Sequence, residues 1–144
     1  MKSTKQSLSQ KLFLALHVGM MILIIASPLY LPYKIQSKYG FLVFYFLYAT
    51  ILGWVVLGQC PLNGIQNSKK YGSVTTFLHN LGFNAIPYNN TIGFVSSYLT
   101  FAAIFYYSPS RKFTIATILL LFCYNLERYI NNKPNIKEVI EELA

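Results

Sequence analysis

From Phe41 to Gly58 the chain carries no charge and a single Thr, and no other feature narrows its possible folds so far. A helix needs about 20 such residues, at about 1.5 Å each, to cover about 30 Å of hydrocarbon, or about 17 where the flanks snorkel. Three further stretches qualify. Leu12 to about Leu31 is interrupted only by His17, Gly19, Ser27 and Pro28; Ile92 to Tyr107 is shorter and more polar but uncharged; Phe113 to about Tyr129 has Asn125, Glu127 and Arg128 at its exit. In hydrocarbon every backbone polar group must be satisfied within the protein, and runs of this length achieve it as helices. The expected fold is all-α: one polytopic membrane domain of 144 residues, with four transmembrane helices in an antiparallel bundle.

Composition agrees. Apolar residues make up 54% and charged residues 11%, against roughly 25% charged in ordinary soluble proteins. Aromatic residues reach 17%, chiefly Tyr and Phe, side chains suited to the border between lipid and water. The basic start followed by Leu12 to Ala26 has the outline of a signal peptide. Ile24 spoils the small-residue cleavage pattern, however, and a retained signal anchor is expected.

The connections differ in kind. Leu31 to Gly40 reads as a tight outer turn, and Ser108-Pro109-Ser110 as a tighter one. Residues 59–90 form the long loop, whose apolar part from Val74 to Ile86 is expected to lie at the interface as a short helix or re-entrant segment. After residue 130 comes a tail in which Ile136, Val139, Ile140 and Leu143 recur at helical spacing behind Pro134. That pattern predicts a short amphipathic C-terminal helix, docked on the bundle or the headgroups.

The net charge of +8 comes from small basic clusters between the apolar runs. That punctuation suits anionic headgroups and leaves no basic stripe for nucleic acid, so the bilayer is the expected partner and nucleic acid is not. With four crossings, the N-terminus, the long loop and the tail share one side. They hold eight of the twelve basic residues, which places both termini in the cytoplasm. Asn89-Asn90-Thr91 is a glycosylation sequon that this orientation would keep silent.

The acidic residues exclude more than they suggest. There is no Asp, and the only Glu residues are Glu127, Glu138, Glu141 and Glu142. Residues 1–126 therefore offer no paired carboxylates for acid–base catalysis, no carboxylate-held magnesium and no acidic proton carrier. Cys60 and Cys123 form no CxxC pair, and two free thiols are favoured over a disulfide. No catalytic set, metal site or cofactor is expected.

One cluster stands out from helix direction and rise. His17 lies about 9 Å inside the Lys11 boundary and Trp54 about 6 Å inside the end of its run. Cys60 and Asn63 lie just past that end, His79 lies in the same loop, and Asn125 sits near the last exit. His17, Trp54, Cys60, Asn63, His79 and Asn125 are thus expected to converge at the cytoplasmic mouth. Each also has a plainer role: a histidine bonded to a carbonyl, a tryptophan anchor, a buried thiol. Gly93, Ser96, Ser97, Thr100 and Ala103 give the third run a small-residue face that favours close helix packing.

Gly53-Trp54 followed by Cys60-Pro61-Leu62-Asn63-Gly64-Ile65-Gln66 resembles the Trp…Cys-Pro-Leu-Thr-x-x-Glu motif of a family of small bacterial membrane proteins of unknown function. That family also has a His in its first helix, matched by Leu16-His17. Its later Phe-Ile-x-His segment is echoed by Phe77-Leu78-His79, and its closing Pro by Ile86-Pro87-Tyr88. Here Asn63 replaces the Thr, Gln66 replaces the Glu, and Val55 to Gly58 widen the interval. The resemblance, over residues 12–90, implies a shared architecture and a shared inner-mouth site, and it supplies no reaction. The favoured reading is an accessory membrane protein acting through lipids, partner subunits or copies of itself. A membrane enzyme or cofactor binder using His17, Cys60 and His79 is the main alternative, and a small transporter or channel component the next.

Overall fold

A computed structural model describes residues 6–58, 71–131 and 136–144. All regular structure among them is helical: α1 (Leu8–Tyr30), α2 (Tyr33–Leu57), α3 (Ser73–Asn80), a 3-10 turn (Ile86–Tyr88), α4 (Asn89–Tyr106), α5 (Arg111–Ile130) and α6 (Ile136–Leu143). Cys60, Asn63 and most of the Trp…Cys-Pro-Leu-like motif lie outside the described residues.

Helices α1, α2 and α5 are long and apolar enough to cross a membrane, and in each only 17–22% of the most apolar stretch is buried inside the protein. Much of the rest is exposed: Leu29 is 89% exposed, Val56 72% and Phe122 65%. Apolar surface on that scale needs a nonaqueous neighbour, which supports a membrane protein. The third expected crossing, α4, is less apolar because Asn89, Asn90, Thr91, Ser96, Ser97 and Thr100 fall within it. It is also the central helix, touching α1, α2, α3, α5 and α6. A helix surrounded by protein can hold Ser97, Thr100 and Ala103 buried without facing lipid.

Helix ends follow local chemistry. Ser7 and Gln10 form a reciprocal cap at the start of α1: Gln10 N–H donates to Ser7 Oγ (3.2 Å) and Ser7 N–H to Gln10 Oε1 (2.9 Å). Pro28, within α1, has no N–H for Ile24 O, and Ser27 Oγ–H donates to that carbonyl instead at 2.7 Å. The predicted turn from Leu31 to Gly40 is in fact only Leu31-Pro32, because α2 already begins at Tyr33. Gln36 explains the shortening. Its Nε2–H₂ donates to Leu31 O at 2.6 Å and to Pro28 O at 3.2 Å, so the first turn of α2 closes the end of α1. Gly58, at φ 68°, stops α2 in the left-handed region that glycine adopts without strain.

The core gathers Phe44, Leu47 and Ile51 of α2, Phe101, Ala103 and Ile104 of α4 with Tyr107 just beyond, and Leu120 and Tyr124 of α5. At the end holding the α1–α2 and α4–α5 connections, Tyr107 reaches Ser27 and Tyr106 donates to Gln36 Oε1. Since Ser27 Oγ–H is committed to Ile24 O, the Tyr107 hydroxyl is the donor to Ser27 Oγ. Gly40 makes this approach possible: a Cβ there would lie 2.7 Å from Tyr107 Cδ1.

The amphipathic tail helix forms as α6, and Val139 is buried. Ile136, Ile140 and Leu143 stay exposed. What fastens α6 is Glu142. No side chain of its own segment caps α4, and the Glu142 carboxylate accepts from Asn90 N–H (3.2 Å), Thr91 N–H (2.8 Å) and Thr91 Oγ–H (2.8 Å). A carboxylate at a helix N-terminus answers orphan donors and opposes the helix dipole.

Candidate functional site

Between α1, α4 and the ends of α2, α3 and α5, reaching along α1 from His17 to Ala26, the helices leave a cavity of about 910 Å³. That is near the top of the range of small-molecule sites, about 300–1,000 Å³. Val18, Met21, Ile22 and Ile25 of α1 face Ile92, Val95 and Leu99 of α4 across it. Lining residues from His17 to Ala26 and from Asn89 to Thr100 make it about 15 Å long along the helices, half of the roughly 30 Å hydrocarbon thickness. Ile22, Val95 and Leu99 are about half exposed as well as lining, so one wall continues into the outer apolar surface.

Polar groups collect toward the end nearest the chain termini, where His17, Trp54, Tyr71, Thr75, Tyr124, Glu127 and Arg128 line it, with Ser97 farther along α4. They are ordered by a hydrogen-bond relay. Arg128 Nη1–H donates to Tyr124 Oη (3.0 Å), Tyr124 O–H to Ser97 Oγ (2.7 Å), and Ser97 Oγ–H to Gly93 O (2.7 Å). Asn131 Nδ2–H₂ donates to Glu127 Oε1 at 2.8 Å. Both charges are therefore engaged by protein groups. At the rim Asn89 Oδ1 accepts from Gly72 N–H (3.1 Å), tying the start of α3 to the start of α4 beside the Glu142 cap.

Two polar atoms break this pattern. Trp54 Nε1 and Thr75 Oγ1 are shielded from solvent and have no hydrogen-bond partner among the described residues. Thr75 is 1% exposed. A buried unpaired donor is unfavourable by about 1–3 kcal/mol, and native proteins keep few of them.

Of the residues singled out from sequence, His17 and Trp54 share this cavity. His79 is exposed at the end of α3 and does not line it. Asn125 is turned onto α4, accepting from Tyr98 O–H at 2.7 Å, and does not line it either. Cys60 and Asn63 are beyond description. The small-residue face divides: Ser97, Thr100 and Ala103 are buried, whereas Gly93 borders open space, with nothing within 4 Å of where its Cβ would lie. Sequence reading missed Thr75, Tyr124 and the role of Arg128. The Tyr124–Arg128 spacing of four along one helix was the available signal. Among the described residues no group of three His, Cys, Asp or Glu side chains could hold a metal. No family model, curated protein or solved structure matches the chain.

Proposed function

We propose that this protein crosses the membrane four times with both termini in the cytoplasm, and that it works as an accessory protein by holding a bilayer-borne amphiphile in the cavity. The observation that carries this reading is the cavity's form: one leaflet long, mostly apolar, continuous with the outward apolar surface and with its charged residues at one end. The central position of α4 supports counting it as the fourth crossing. The likeness to the Trp…Cys-Pro-Leu family enters on the same footing, because His17 and Trp54 border one space. Association with a partner subunit or a second copy is compatible with lipid binding.

The test is native mass spectrometry of protein released from mild detergent. Wild type is expected to retain an amphiphile, and Gly93→Phe, which projects a ring into open space, to lose it while remaining folded. Equal retention by both would remove the cavity from the account. Cysteine-accessibility labelling at both termini checks the topology. His17 in the wall also favours a second reading, a cofactor site. An absorbing species lost in His17→Ala would establish that reading in place of lipid binding.

A further inference from the structure

Among its described residues the cavity's polar end is charge-balanced and holds an indole N–H without an acceptor, and from this we infer its ligand class: an uncharged amphiphile whose head offers hydrogen-bond acceptors, an ester or hydroxyl head on a single apolar chain. The inference rests on the amphiphile-binding reading above and specifies its ligand.

Charge is the first observation. Glu127 and Arg128 are the only formally charged residues on the described lining. They are opposite in sign, adjacent in the chain and already engaged, Glu127 by Asn131 and Arg128 by Tyr124. An anionic head would meet Glu127 and would have to take Arg128 from Tyr124; a cationic head would face Arg128. Burying an ion with no uncommitted counter-charge is strongly unfavourable, whereas a neutral head carries no such penalty.

The unpaired atoms are the second observation. An indole N–H can only donate, so Trp54 Nε1 requires an acceptor. Thr75 Oγ1 is unpaired as well, on another residue lining the cavity. Both atoms are shielded in this arrangement, so a ligand oxygen meets them only after a local side-chain movement. Threonine in a helix has two χ1 rotamers open to it, and rotation of one short side chain brings its hydroxyl to a ligand oxygen. Carbonyl and hydroxyl oxygens of an ester head supply the missing acceptors, and the slot between α1 and α4 takes the chain.

This assignment makes two effects of one substitution opposite in sign. Thr75→Val keeps the shape of the side chain and deletes the unpaired oxygen. It is expected to raise the thermal midpoint of the empty protein and to weaken ligand binding about two- to tenfold, the worth of one hydrogen bond between neutral groups. Thr75→Ser retains the hydroxyl and is expected to bind as wild type does; Trp54→Phe should weaken binding in the same way as Thr75→Val. The probes are a long-chain monoacylglycerol, the fatty acid of equal chain length and the corresponding alkylamine, each titrated into delipidated full-length protein in micelles. Binding is read by thermal shift and native mass spectrometry. Monoacylglycerol is expected to bind most tightly. Tighter binding of the acid or the amine overturns the head-group assignment, as does unchanged monoacylglycerol affinity in Thr75→Val. Failure of all three probes to bind wild type, with no difference in Gly93→Phe, overturns the cavity reading itself.

Discussion

The two ends of this helix assembly answer their polar groups differently. Where the short connections lie, each exception is met by a neighbour: Ser27 takes the carbonyl that Pro28 frees, Tyr107 takes Ser27, and Gln36 closes the end of α1 while accepting from Tyr106. Toward the termini the same helices border a cavity and leave Trp54 Nε1 and Thr75 Oγ1 unanswered among the described residues. The contrast is visible along α4. Tyr107, just past its C-terminal end, fills the space over Gly40, whereas Gly93, near its N-terminal end, borders nothing. One end is closed by its own side chains, and the other borders a cavity.

Gly40→Ala presses this contrast hardest. The new Cβ would lie 2.7 Å from Tyr107 Cδ1 and 3.3 Å from Cε1, and the ring is not free to swing because its hydroxyl is held at Ser27. Overpacking of this kind is destabilising by about 1–3 kcal/mol. A clear drop in the thermal midpoint in micelles is expected. An unchanged midpoint would mean that the two ends are equally loose.

The helices were legible in the sequence because hydrocarbon imposes a length and forbids charge, and Leu12–Leu31 and Phe41–Gly58 display both. The tail helix was legible from its 3–4 spacing. The start of α2 was not: Lys34, Gln36, Ser37 and Lys38 look like a loop, because polarity marks where a helix leaves lipid and not where it begins. Rise per residue brought His17 and Trp54 to one depth. It says nothing of azimuth, and so Asn125 turned onto Tyr98 and His79 faced outward. The cavity is made of missing atoms, which no residue pattern spells out; Gly93 read as a packing contact for that reason. The Glu142 cap joins residues 51 positions apart, and nothing local announces it.

That cap offers the next test. Burial pushes the Glu142 carboxyl up, but hydrogen bonds from Thr91 and Asn90 outweigh it and hold the group below the ordinary glutamate value of 4.5. A group depressed in the folded state contributes stability that is fully present above its unfolded value and is lost as pH falls through the folded one. Glu142→Ala is expected to lower stability by about 0.5–1 kcal/mol at neutral pH, the usual worth of a cap on an exposed helix end. The gap from wild type should close in acid, in the window below 4.5. Hydrogen exchange at Asn90 and Thr91 localises the effect. A gap that persists at low pH would assign the loss to the packing of α6 around Val139 and not to the charge.

Gly93→Ala carries the smallest expected effect and the most informative sign. Its Cβ meets nothing within 4 Å, so no overpacking opposes the gain in helix propensity, up to about 1 kcal/mol over glycine. The change that destabilises at Gly40 should therefore stabilise at Gly93, and the pair reads the two ends with one chemical edit. Both glycines lie within helices and each precedes a phenylalanine, Phe41 and Phe94, so composition alone would not separate them. A midpoint that falls in Gly93→Ala would show the space beside α4 to be filled in solution. Comparing delipidated protein with protein that retains its amphiphile then tells the occupant's origin: a fall confined to the loaded protein places the ligand against Gly93, while a fall in both means that the chain itself closes the gap.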